Sequence, residues 1–212
     1  MISFLEKVRN SYTNITTFNK IKYTIMIFIF GIELGVFSKW LDNLYLNDSI
    51  WWQHILGILN LNNVFSSFGV WILIAVCISI YSNSPLRASI NVFIFFVGMC
   101  VSYHIYTIVF AGFNPMNYML IWYLVTLISP FMAFVCWYAK GNGIIAFIIK
   151  VSIITVMILC SFAIGMWYFD FISVINTILF ITTLVVLYDT PKELMYSLIC
   201  SIVMAYLIRF FI

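Results

Sequence analysis

Charge is what this sequence has least of. Ten Lys and Arg, seven Asp and Glu and two His are spread over 212 residues, 8% charged against 65% hydrophobic. A soluble domain carries about a quarter of its residues as charges. So sparse a set cannot cover a water-facing surface, and mean hydropathy is +1.11, so lipid is the solvent for most side chains. A net charge of +3 is too small for nucleic-acid binding. Two histidines give no basis for a histidine-ligated metal site, and no cofactor is expected. The sequence has no His-Glu-x-x-His, no paired intramembrane aspartates, no Gly-x-Ser-x-Gly and no Glu-Glu-x-x-x-Arg. We therefore expect no enzyme. The lack of Gly-x-x-x-x-Gly-Lys removes a nucleotide-driven pump, and the few charges remove voltage sensors and channels built on charged rings. The five cysteines (Cys77, Cys100, Cys136, Cys160, Cys200) lie in apolar runs without paired spacing, as small membrane-embedded residues do.

What is present is apolar sequence in long runs. Seven segments follow one another at about 21–40, 67–82, 88–112, 117–138, 143–169, 170–188 and 193–212. Ser84–Pro85, Asn114–Pro115, the Gly-Asn-Gly at 141–143 and Thr190–Pro191 supply turn chemistry between them, and a corner at 169–171 divides the fifth from the sixth. Pro130 should kink the fourth segment without ending it. The expected fold is all-α: a polytopic bundle of about seven transmembrane helices. Residues 1–20 form a cytoplasmic amphipathic segment and 21–212 a single membrane domain. The first apolar run is too long for a signal peptide and lacks a small-residue cleavage site, so the first span itself is expected to direct insertion.

Orientation follows from the basic residues. With a cytoplasmic N-terminus, Lys7, Arg9, Lys20, Lys22, Arg87, Lys140, Lys150 (by snorkelling) and Lys192 collect inside, and only Lys39 and Arg209 lie outside. That is the positive-inside distribution, and it suits a bacterial cytoplasmic membrane. The connection 41–66 carries Trp51, Trp52 and several aliphatic residues. It is too short to cross and return, and is expected to be an interfacial or re-entrant helix. Trp137, Tyr138, Trp167 and Tyr168 match interfacial aromatic belts.

An ionisable group within a span needs a partner, a water cavity or a neutral state. Glu33 lies just outside the middle of the first span. Tyr103, His104, Asp170 and Asn176 fall at similar depth in the third and sixth. Together these describe an outward-facing site for a small cationic or polar aromatic solute, covered by a lid carrying Trp51, Trp52 and His54. The structural alternative pairs Glu33 with His104 or a tyrosine to pin two helices. Lys39 and Asp42 read as a snorkelling interfacial pair. Gly31 and Gly35 form a Gly-x-x-x-Gly that allows close helix approach, within the chain or onto a partner.

Three stretches, GVFSKWLD (35–42), SPLRASINVFIFFVGMCVSYHIY (84–106) and WYAKGNG (137–143), resemble small integral membrane proteins of low-GC Gram-positive bacteria. In architecture the chain also resembles the substrate-capture components of energy-coupling-factor vitamin transporters. Those are small, all-helical, lidded after the first span, and meet their coupling subunit through small-x-x-x-small motifs. This chain departs in having Gly instead of Ala at that motif and seven spans instead of six. The resemblance implies solute capture in transport. The second expectation is a non-catalytic accessory or scaffolding subunit, with a partner membrane subunit or a second copy of the chain bound alongside it in the bilayer.

Overall fold

The computed structural model describes residues 7–11, 16–44, 50–165 and 167–211. Among the described residues the chain is all-α apart from one small hairpin. Its elements are α1 (Thr17–Asp42), α2 (Trp51–Leu59), α3 (Leu61–Ser66), α4 (Phe68–Ile80), α5 (Pro85–Tyr106, continued by a π-helical turn Thr107–Ala111), α6 (Met116–Trp137, followed by a 3-10 turn Tyr138–Lys140) and α7 (Ile144–Ser161). After these come β1 (Phe162–Ile164), β2 (Phe169–Phe171), α8 (Val174–Leu187) and α9 (Pro191–Phe211). Among the described residues, five helices are long and apolar enough to cross a membrane: α1, α5 with its extension, α6 with its extension, α7 and α9. This is an α-helical membrane protein.

The other two expected crossing segments, α4 and α8, are helices of 13 and 14 residues. At about 1.5 Å per residue each covers roughly 20 Å, less than the roughly 30 Å of hydrocarbon. The expected segment 143–169 is not continuous. Its helix ends at Ser161, and Phe162–Ile164 pairs antiparallel with Phe169–Phe171 where a simple corner was expected. Aromatic packing accounts for the strand: the Phe162 ring lies 5.0 Å from Phe169, 5.5 Å from Phe171 and 5.1 Å from Phe180. In a wholly apolar run, periodicity cannot separate a short strand from helix.

The chain divides into two compact units, Asn10–Tyr45 with Ile78–Trp137, and Met1–Arg9 with Leu46–Cys77 and Tyr138–Ile212. In the first, α1 and α5 run parallel. Thr24 hydroxyl donates to Asn91 Oδ1 at 3.0 Å near their N-terminal ends, and Tyr103 hydroxyl to Asp42 Oδ2 at 2.7 Å near their C-terminal ends. Between these points backbone meets backbone. A Cβ on Gly98 would stand 2.7 Å from Phe28 O, and one on Gly31 or Gly35 would overlap the carbonyl oxygens of Phe95 and Met99. Ser102 hydroxyl donates across the seam to Ile32 O at 3.1 Å. Helix α6 returns antiparallel along α5, with Ser89 hydroxyl donating to Pro130 O at 2.8 Å and Cys100 Sγ 3.3 Å from Thr126 Oγ1. Pro130 has no N–H for the Thr126 carbonyl; Ser129 hydroxyl donates to it instead, at 2.8 Å. Trp137, expected in an interfacial belt, is fully buried and donates its indole N–H to Ser82 O at 2.6 Å; Tyr138 is likewise buried. Trp167 and Tyr168 are exposed, as a belt requires.

In the second unit, α7 and α9 are also parallel. Lys150 meets Glu193, and farther along both helices Thr155 hydroxyl donates to Ser201 O at 3.4 Å. Of the expected N-terminal amphipathic segment, 1–6 and 12–15 lie outside the described residues. Buried Val8 docks on the turn at 141–142, its carbonyl accepting from Asn142 N at 2.8 Å, where Gly141 has no side chain to block it. In the connection after α1, residues 45–49 lie outside the described residues, and 51–66 are helical but broken at Asn60, which adopts a left-handed conformation at φ 52° and separates α2 from α3.

Gly35→Leu should lower the unfolding temperature of the detergent-solubilised protein, through a cost of about 1–3 kcal/mol from overpacking. Gly69→Ala, whose methyl would meet Cys160 Cβ at an ordinary 3.4 Å, should leave it unchanged. Thermal melts followed by circular dichroism check both.

Candidate functional site

Of the five expected ligands, the first unit holds Glu33, Tyr103 and His104, and the second holds Asp170 and Asn176. Each is described within its own unit. On α1, Gly31, Gly35, Ser38 and Lys39 are buried, which is the face turned to α5. Glu33, two residues beyond Gly31 and so near 200° around the helix, is exposed. It has no hydrogen-bond or ion-pair partner among the described residues.

Tyr103 and His104 instead join a network at the C-terminal end of α1. Tyr103 hydroxyl donates to Asp42. The ammonium of Lys39, 7% exposed, lies 5.4 Å from the Tyr103 ring centroid and 5.5 Å from that of Phe113. The expected Lys39–Asp42 pair is thus replaced by cation–π contact for the lysine and a phenol for the acid. His104 Nε2 lies 2.8 Å from Asn114 Oδ1 and Nδ1 lies against Tyr123 hydroxyl. With the ring proton on Nε2, both nitrogens are satisfied: Nε2 donates to the amide oxygen and Nδ1 accepts from the phenol. Pairing of Glu33 with His104 is therefore not what the fold uses.

In the second unit, Asp170 is exposed on β2, and its Oδ1 accepts from Phe171 N at 2.7 Å. Asn176 is buried in the first turn of α8, where its backbone N–H is capped by Ser173 Oγ at 3.1 Å. On α2, Trp51, Trp52 and His54 are exposed, Trp51 to 75%.

Two clusters escaped the sequence reading. Lys150, expected to snorkel, is only 2% exposed; it donates to Asp189 Oδ2 and, at 2.7 Å, to Glu193 Oε1. Lys140 donates to the other Asp189 oxygen at 2.8 Å and to Tyr188 O at 2.6 Å. Two cations and two carboxylates thus close one end of α7 against the turn before α9. Partial burial by itself would raise the Asp189 pKa. The hydrogen bonds and charges of Lys140 and Lys150 outweigh it and hold the carboxyl below its usual value. The available signal was Asp-Thr-Pro-Lys-Glu at 189–193 opposite a lysine two turns inside a span. The second cluster surrounds Arg87, whose Nη2 donates to Lys20 O at 2.7 Å, to Thr24 hydroxyl and to Asn91 Oδ1 at 3.3 Å. Among the described residues, no group of three or more His, Cys, Asp or Glu is placed to hold a metal ion.

Lys150→Met should destabilise the protein by roughly 2 kcal/mol or more, because it strips charge-assisted bonds from two carboxylates. The native state holds the Asp189 proton more weakly than the unfolded chain does. Stability from this site is therefore present above the ordinary carboxylate pKa and is lost as pH falls through the lower native value. Melting curves between pH 7 and pH 3 should show that loss in the native protein and a shallower one in Lys150→Met. No protein-family model, curated protein or solved structure matches the chain.

Proposed function

We propose that the chain is a non-catalytic subunit of a larger assembly in the bacterial cytoplasmic membrane, crossing seven times with its N-terminus inside. Parity supports the crossing count. Val8 O accepts from Asn142 N, and Lys140 bonds Asp189, so each pair lies on one side of the membrane. An even number of crossings must separate the partners: α1, α4, α5 and α6 for the first, α7 and α8 for the second. With α4 and α8 left out, both pairs would be split across the bilayer. The short α4 and α8 cross by local thinning of the bilayer or with the help of adjoining chain.

The subunit reading is carried by Glu33. A carboxylate in the hydrocarbon costs several kcal/mol unless it is paired or neutral, and the Glu33 helix face is turned away from α5 with no partner among the described residues. A neighbouring transmembrane helix that offers a hydrogen-bond donor or a cation would satisfy it. The second reading is capture of a small cationic or polar aromatic solute from outside. It draws on the polar and aromatic groups that the first unit gathers at the C-terminal end of α1, where Tyr103 bonds Asp42, faces Tyr118 at 6.0 Å and, with Phe113, receives the Lys39 ammonium.

A photo-crosslinking residue at position 33, irradiated in native membranes, should yield a protein adduct. In competition, Glu33→Leu should lose the partner on purification, whereas Glu33→Gln should keep part of it. Adducts to lipid alone, with a leucine variant that copurifies with the same proteins as the native chain, would sink the subunit reading. Solute uptake lost in Glu33→Gln with crosslinking unchanged would favour capture. A reporter fused after Ile212 should be active only outside; cytoplasmic activity would mean an even number of crossings.

A further inference from the structure

The cluster around Arg87 borders an open cavity of about 680 Å³, within the range of small-ligand sites. Its two ends differ. Lys20, Arg87, Asn91, Ser82 and Tyr81 line the end beside the N-termini of α1 and α5, whereas Met26, Ile27 and Phe30 line the wall farther along α1. From Lys20 to Phe30 the helix rises about 15 Å, so the cavity runs from charge into apolar surface along a membrane-spanning helix.

Among the described residues, all the partners of the Arg87 guanidinium are neutral oxygens, those of Lys20 O, Thr24 and Asn91, and all three accept from Nη2. Among the described residues no carboxylate pairs with Arg87 or Lys20, and Nε and Nη1 make no hydrogen bond. The three bonds to Nη2, with Asn91 held in turn by Thr24 and by Ser82 Oγ at 3.2 Å, fix the plane of the guanidinium. Its remaining donors stay available. A preset guanidinium whose Nε and Nη1 can still donate, beside an ammonium, suits a phosphate oxyanion through charge-assisted hydrogen bonds.

We propose that this cavity binds an anionic amphiphile of the membrane, its phosphate on Arg87 and Lys20 and its hydrocarbon along Met26, Ile27 and Phe30. The apolar wall distinguishes such a ligand from a free phosphate ion, for which it would serve no purpose. Neither Glu33 nor the subunit reading enters this assignment.

The full chain, purified in a neutral detergent, would be titrated separately with phosphatidylglycerol, phosphatidylcholine and inorganic phosphate. Unfolding temperature and native mass spectrometry would both be read. Phosphatidylglycerol should raise the unfolding temperature saturably and remain bound in the gas phase, while phosphatidylcholine and inorganic phosphate have little effect. Lys20→Gln removes one cation whose side chain holds nothing else in place among the described residues, and Arg87→Lys keeps the charge but cannot bond Lys20 O, Thr24 and Asn91 and donate outward at once. Each should weaken the phosphatidylglycerol response about tenfold. Equal responses to both lipids, or an unchanged response in both variants, would overturn the proposal. Inorganic phosphate matching phosphatidylglycerol would overturn the lipid assignment. If Arg87→Lys fails to fold, Lys20→Gln decides alone.

Discussion

The close parallel approach of α1 and α5 rests on three glycines, Gly31, Gly35 and Gly98, and much else in their unit follows from it. In lipid there is no hydrophobic gain from joining two apolar helices, so contact must come from van der Waals packing and hydrogen bonds at short range. Removing side chains from the seam lets the carbonyls of Phe28, Phe95 and Met99 come against opposing backbone. Only at that separation can Ser102 reach Ile32 O, Thr24 reach Asn91 and Tyr103 reach Asp42. Because the two helices are parallel, their N-terminal ends lie together, where Arg87 reaches Lys20 O.

Polar groups inside this protein are handled in three different ways. At the C-terminal end of α1 they satisfy one another: the histidine has a phenol and an amide, the aspartate a phenol, and the lysine two aromatic faces. Beside α7 and α9, opposite charges are matched two against two, which allows a lysine to be almost wholly buried. Glu33 and the Arg87–Lys20 pair fit neither pattern. Those are groups whose electrostatic cost the described chain leaves open, one acidic on an exposed helix face and one basic in a cavity. Burying or exposing a charge to hydrocarbon is expensive enough that such exceptions single themselves out. For this reason Glu33 carries the subunit reading and the Arg87–Lys20 pair the lipid site.

The sequence by itself determined the solvent of this protein and the positions of its apolar segments. Hydropathy is a sum over a local window, so charge scarcity and long apolar runs report on lipid without reference to any other part of the chain. The turns at Ser84–Pro85, Asn114–Pro115 and Thr190–Pro191 were legible for the same reason, since a proline's missing N–H and fixed φ act within a few residues. The small residues at 31 and 35 could be read as a close-packing motif, but not which helix they would meet. Tertiary structure alone decided that the partner is α5, 67 residues away at the Thr24–Asn91 bond. It also decided that Phe162 pairs in a hairpin instead of continuing a helix, that Lys150 turns inward to Asp189, and that Glu33 has no partner among the described residues. In runs where nearly every side chain is apolar, the faces of a helix carry no periodic mark. Which face meets which neighbour is then set by steric fit and by the few polar atoms that must find one another, and both exist only once the helices are side by side.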